Sequence, residues 1–325
     1  MVTKFAMVLL LGGAVAASAL VAVASHRSNS TNVDGVEWLD SFKDARALAK
    51  KTHRPILFLS MFGHLDEDMP CANARTLRAT LFKDPEFKKL VSTEVIPAWE
   101  MVRQVPKVQI DLGDGKKVVR TVRGNAVLYL CNSQGRVVDA FPGVYSKEDF
   151  MPMLRESLSK LADADTKTVL AYHAERGHEV IPVLITMGKC VMESPTLELM
   201  GAAPNPGFVS QKTDADPKRQ RFLQAAKGLR DMSLTPMTPE ETIFASTGKD
   251  VHTQDPKGLA SEVLQRDSDK NMRSVRPVVH LYFASCHELP TPEEARDNIL
   301  ENILKIPYKD PYFGLKEVLM PGTPS

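Results

Sequence analysis

Cys71 is the residue whose type and setting most directly suggest chemistry. It follows an apolar run, Arg54-Pro55 through Phe62, and an acidic loop, His64-Leu-Asp-Glu-Asp-Met-Pro70, and it opens a segment of strong helix formers from Ala72 to Thr80. A thiol at a helix start meets unpaired backbone N–H groups and the positive end of the helix dipole, both of which favour the nucleophilic thiolate. Asp66, Glu67 and Asp68 lie just upstream and oppose that ionisation, as does burial, whereas a protonated His64 would favour it. These opposed effects leave three readings of Cys71 open: a reactive single thiol, an inert cysteine at a helix start, or a disulfide to a partner protein or a distant cysteine.

The remaining candidates carry weaker signals. The chain has four cysteines, and an even count admits three disulfide pairings. Cys131 lies in an apolar run and reads as a small buried hydrophobe, which leaves Cys190 and Cys286 as the pair that could join. Cys286-His287-Glu288 follows an apolar run read as a strand and could supply a nucleophile or a ligand, against the plainer reading of a strand-end loop. His173 and His178 are five apart, a spacing that does not bring two ligands to one helix face as an i, i+4 pair does. Asp111 and Asp114 read as turn chemistry without calcium-loop spacing. No G-x-G-x-x-G, P-loop, H-E-x-x-H or G-x-S-x-G motif occurs, so neither cofactor nor metal is expected.

Elements of regular structure must position Cys71, and their order is readable. Trp38, Phe42, Ala45, Leu48 and Ala49 recur at helical spacing, with Asp40 or Ser41 as a cap. Ile56 to Phe62 suits a buried strand. After the Cys71 helix, Asp84-Pro85-Glu86 starts another, with proline and acid in its first turn. Val95 to Val102 is the next strand, and Gly113-Asp114-Gly115 turns a hairpin between 108–112 and 116–122. Ala126–Cys131 and Arg136–Phe141 form an antiparallel pair, and Ser146 caps a final helix with Asp149 completing the box. Beyond residue 160 the helix candidates are Thr166–Arg176, Pro217–Met232, Pro239–Phe244, Gly258–Arg266 and Pro292–Ile306. Val180–Met187 and Val278–Phe283 read as strands.

Length and charge bound the rest. A chain of 325 residues suggests two domains or one with a large extension. Forty-one basic against 40 acidic residues give a net charge of +1, which argues against a nucleic-acid partner. Residues 5–24 carry no charge and end in Ala22-Val23-Ala24, a small-x-small cleavage pattern, and twenty apolar residues also suffice to span a bilayer. Cleaved signal peptide and uncleaved anchor both remain open, and both put the protein in the periplasm or outside the cell. That anchor is the one route to a membrane. Asn29-Ser30-Thr31 fits a glycosylation sequon.

Taken together, Cys71-Ala-Asn-Ala74, Lys83-Asp-Pro-Glu-Phe87, the Arg54-Pro55 strand entry, Gly124-Asn125-Ala126, Gly135-Arg136-Val-Val138 and Pro142-Gly143 resemble the thioredoxin-like proteins in which C-x-x-C opens a long helix. The resemblance covers residues 36–158 and implies a thioredoxin-like α/β fold with a central mixed sheet. Two positions depart from it. The family's second cysteine falls on Ala74, so no resolving thiol is present, and its cis-proline falls on Ala126. The expected organisation is a signal peptide or anchor (1–24), a linker (25–35), a thioredoxin-like domain (36–160) and a C-terminal α/β region of unknown type (161–325). Two functions follow. Cys71 is the catalytic thiol of a monothiol oxidoreductase or redox sensor, acting on another protein or a small thiol. Alternatively, the domain is a redox-inactive binding or scaffolding module.

Overall fold

The computed structural model describes residues 29–111, 113–177, 216–227, 229 and 264–316. Among them the chain is α/β, with one mixed sheet of six strands, a separate two-stranded hairpin and eight α-helices. The apolar leader, Cys190, His178 and the segments Val180–Met187 and Pro239–Phe244 lie outside the described residues.

The sheet runs in the order β1-β2-β4-β3-β7-β8. β1 (Ser30–Val33) and β2 (Val36–Leu39) form a tight antiparallel pair at one edge. α1 (Phe42–Thr52) leads to β3 (Ile56–Met61), and α2 (Ala72–Ala79) and α3 (Pro85–Glu94) lead to β4 (Ile96–Met101). β4 lies parallel to β3, with Ile56 opposite Ile96 and Met61 opposite Met101. After the hairpin of β5 (Lys107–Asp111) and β6 (Lys117–Thr121) come β7 (Ala126–Cys131) and β8 (Val137–Pro142), both antiparallel to their neighbours. α4 (Lys147–Leu161) closes this unit.

Residue alternation shows why β3 and β7 are buried along their whole length. Phe58 and Tyr129 face α1, with Phe42 resting 4.8 Å from the Phe58 ring centre. Their neighbours Leu59 and Leu128 face the opposite way with Phe141, which meets Phe150 of α4, and Phe150 in turn meets Phe87 of α3. A strand with helices on both faces has no polar side, so its sequence is apolar without alternation. Helix starts follow their caps: Ser41 accepts from Asp44 N, Asp84 from Glu86 N and Phe87 N, and Ser146 from Asp149 N.

Three sequence expectations need correction. Trp38, assigned to a helix, lies on β2, where its ring stacks on Phe82, and α1 begins only after the Ser41 cap. Ser30–Val33, assigned to the linker, pairs with β2. Val278–Phe283, assigned to a strand, lies in a helix, Arg276–Ala284. That run is apolar on every side because the helix is enclosed, and periodicity cannot separate an enclosed helix from a buried strand.

The four later helices are α5 (Thr166–Gly177), α6 (Pro217–Lys227), α7 (Arg276–Ala284) and α8 (Pro292–Asp297). Of these, α5 and α7 reach the sheet's β8 edge, and α6 packs outside α7, Phe222 against Tyr282. Helical residues 264–270 and a π-helical turn, Asn271–Val275, precede α7, and a second π turn, Asn298–Ile303, follows α8. One apolar core runs through both parts, from Trp38 and Leu59 to Phe222, Phe283 and Ile303. Among the described residues no helix is long and apolar enough to cross a membrane.

Candidate functional site

β3 delivers the chain to Cys71 through a loop whose polar groups are consumed locally. Gly63 takes φ +81°, and a Cβ there would lie 2.8 Å from the Pro70 backbone, so the tight turn requires glycine. The His64 ring pairs with Asp66 and stands edge-on to Trp99. Glu67 accepts from His64 N (2.8 Å) and lies 3.6 Å from Lys107 Nζ, and Arg78 donates to the carbonyls of Leu65 and Glu67. Two of the three acidic side chains named upstream of Cys71, Asp66 and Glu67, thus have partners within the loop and the hairpin.

Cys71 is the N-cap residue of α2, as its sequence position predicts. Its surroundings are closed. The residue is 0% exposed, its Sγ lies 3.3 Å from the Asn125 carbonyl and donates to it, and its N–H donates to Phe62 O. Gly124 (φ +80°) crosses so near that a Cβ there would lie 3.0 Å from the Cys71 Cβ and 3.2 Å from that of Phe62. Asn125 holds the crossing in place, its Oδ1 accepting from Ala126 N (2.8 Å) and from Asn73 Nδ2. Ala74 and Ala126, where the resemblance would place a second cysteine and a cis-proline, are both buried, and no peptide bond among the described residues is cis. Above this corner the C-terminal segment presses Phe313 against Phe62, their ring centres 5.5 Å apart.

The other two described cysteines, Cys131 and Cys286, are poor nucleophiles. Burial pushes the Cys131 thiol far above its ordinary range. Burial also raises Cys286, opposed by Arg219, to about 11, and its Sγ donates to Tyr282 O. His287 is nearly fully exposed beside Asp216, so Cys286-His287-Glu288 forms no closed constellation. Because Cys190 is not described, its pairing with Cys286 has no geometry here, and Cys286 stands as a thiol. Among the described residues no group of three His, Cys, Asp or Glu side chains could hold a metal.

A second cluster, which sequence reasoning missed, lies along β8. Asp139, fully buried, receives Arg276 Nη1 at 2.7 Å and Nη2 at 3.0 Å, and Ser157 Oγ donates to it at 2.6 Å. Arg276 also donates to Ala140 O (2.6 Å). Burial alone would raise the Asp139 pKa, but the Arg276 charge and hydrogen bonds reverse this and hold the carboxyl well below its ordinary value. His173 Nε2 lies 2.8 Å from Val138 O, and His173 Nδ1 lies 2.8 Å from His280 Nδ1. A carbonyl only accepts, so neutral His173 carries its proton on Nε2, and His280 donates from Nδ1. Desolvation lowers the His173 pKa to about 4 despite Asp139, and desolvation with the nearby Arg276 charge lowers His280 as well.

The cluster does a structural task. β8 is the last strand of the sheet, and the carbonyls of Val138 and Ala140 accept from His173 and Arg276, while Val137 N donates to Pro290 O. Side chains from α5 and α7 take the place of a missing neighbour strand, which satisfies the buried edge and blocks edge-to-edge pairing. Only His173 had been singled out in the sequence, as half of a pair with His178. A signal was present in the lone arginine before an apolar run, since Arg276 had to find a buried partner.

With the fold and both clusters described, comparison with known proteins adds no name: no family model, curated protein or solved structure matches the chain.

Proposed function

We propose that this chain is an exported thioredoxin-like module that has given up thiol–disulfide chemistry and works by binding, as a scaffold or recognition unit. Support for a thioredoxin fold comes from the strand order β2-β4-β3-β7-β8, in which a parallel trio is continued by an antiparallel pair. The helix-opening cysteine follows β3, and the Gly124-Asn125 turn before β7 crosses against it. The observation that carries the functional reading is the enclosure of Cys71. A thiolate must meet its target sulfur in line to exchange, and this Sγ is buried and occupied with Asn125 O. Ala74 supplies no resolving thiol one turn further on.

Alkylation of the folded protein with iodoacetamide, mapped by mass spectrometry, tests this reading. Cys71 is expected to stay unmodified along with the buried Cys131 until denaturant is added. Rapid, selective modification of Cys71 would instead favour the monothiol reading, with Cys71 as nucleophile and another protein or a small thiol as its partner. The setting we propose is periplasmic or secreted, on the strength of the uncharged segment 5–24. Sequencing the N-terminus of the exported protein should find it just after Ala24, and an intact leader would mean an anchored form.

A further inference from the structure

The C-terminal segment 306–316 lies over the Cys71 corner, and its manner of attachment differs from that of the rest of the core. It has almost no regular structure and is a self-contained turn. Asp310 accepts from Tyr312 N (2.7 Å) and Gly314 N (3.2 Å), Phe313 N donates to Asp310 O, and Leu315 N donates to Tyr312 O. The segment's start is held by Asp297, which accepts from Tyr308 Oη and Lys309 Nζ, and by Ile306 N donating to Leu300 O (2.8 Å); its outer half is gripped by one side chain. Arg103 donates to Tyr308 O and Asp310 O at 2.8 Å and to Pro311 O at 3.2 Å, and its guanidinium lies 4.2 Å from the Phe313 ring centre. Ile306 joins the core at the start of the segment, whereas from Asp310 onward the attachment combines main-chain carbonyls on Arg103 with the buried side chains of Phe313 and Leu315, the combination by which a surface recognises a turn of peptide. A cleft of about 370 Å³ opens along the seam between residues 103–106 and 311–316, so the turn is not closed in on that side.

We propose that residues 306–316 are a displaceable plug, and that the surface beneath, floored by Phe62 and gripped by Arg103, takes an equivalent Phe-bearing turn of another polypeptide when the plug is out. The partner chemistry is read from the plug itself. It needs an aromatic residue to stand on Phe62, three carbonyls converging on one guanidinium, and an aspartate that closes the turn. The tether gives the plug a high effective concentration, so an outside peptide competes poorly while the plug is intact. This inference rests on the binding-module reading, but the two fail separately, because Cys71 alkylation decides that reading and peptide affinity involves no thiol.

The test uses the full chain and a fluorescent peptide with the sequence of residues 306–316, followed by anisotropy. Phe313→Ala removes the anchor and is expected to bind the peptide at least tenfold more tightly than the unaltered protein. Tyr312→Ala, at a residue 52% exposed, should leave binding at the unaltered level. A peptide with alanine in the Phe313 place should lose the gain. If Phe313→Ala does not fold by circular dichroism, Arg103→Lys, which keeps the charge but breaks the three-carbonyl grip, takes its place; with that variant residues 306–316 should exchange hydrogen at least tenfold faster than in the unaltered protein while β3 is unchanged. A peptide gain below tenfold, equal binding by the alanine peptide, or exchange of 306–316 in Arg103→Lys at the unaltered rate would overturn the proposal.

Discussion

The Cys71 corner and the β8 edge are two solutions to one problem, a polar feature drawn into an apolar interior. At the corner the polar feature is small, a single thiol, and it is closed over by Phe62, Gly124 and Phe313 with one hydrogen bond to Asn125. At the edge the polar feature is large, a carboxylate, a guanidinium and two imidazoles, and each group is matched to another or to a strand carbonyl. The cysteine to which the motif points is enclosed, whereas titratable groups gather where no motif points. A perturbed cluster is therefore weak grounds for catalysis unless it also opens to substrate, and this one is a seam between a sheet and the helices that cap it.

The largest expected effect tests the seam. Arg276→Ala leaves Asp139 buried without its countercharge and should destabilise the chain by about 3–5 kcal/mol in denaturant unfolding. Replacing both partners together, Asp139→Asn with Arg276→Met, should cost clearly less than the single change, and an equal cost would mean that the pair matters through packing rather than charge. Next in size is a pH effect. The folded-state pKa of His173 is lowered to about 4 and that of His280 is lowered too, whereas the unfolded values sit near 6.5. Between those limits the unfolded chain binds more protons, so stability is present above pH 6.5 and falls as pH drops from there toward 4. The slope approaches about 1.4 kcal/mol per pH unit for each histidine, and His173→Gln should flatten it by one such increment in urea titrations at several pH values. The smallest effect belongs to the corner. Gly124→Ala must hold φ +80° and bring a Cβ against Cys71 and Phe62, at a cost of about 1–3 kcal/mol in thermal unfolding. Coupling it with Cys71→Gly, which removes the Cβ it would meet at 3.0 Å, should recover part of that loss, and full additivity would show that the crossing is strained by its backbone alone.

Sequence reasoning reached the corner because its signals are local. Pro85 after Asp84, Gly115 in the hairpin and the cap at Ser146 each act within a few residues, and each lies where its chemistry requires. Trp38 failed because a short edge strand next to a helix cap shares apolar spacing with the helix, so the cap at Ser41 was the only divider. Val278–Phe283 failed because enclosure erases periodicity. Asp139 and Arg276 are 137 positions apart, and nothing within reach of either residue names the other. The burial of Cys71 was equally illegible, since Phe313, which meets the Phe62 ring edge-on beside it, comes more than 240 residues later.

The capped edge has a consequence for how the chain must be made. All six strands are complete by Pro142, yet the groups that satisfy the outer side of β8 come from His173, Arg276 and Pro290. At roughly 5–20 residues per second, a ribosome needs about 7–30 s to travel from the last strand to the last of those caps. Throughout that interval an assembled sheet would present an unprotected strand to its siblings on neighbouring ribosomes. Export before folding, or a chaperone that holds the sheet open, removes the hazard, and a fragment stopped short of Arg276 should accumulate as aggregate rather than as a soluble half.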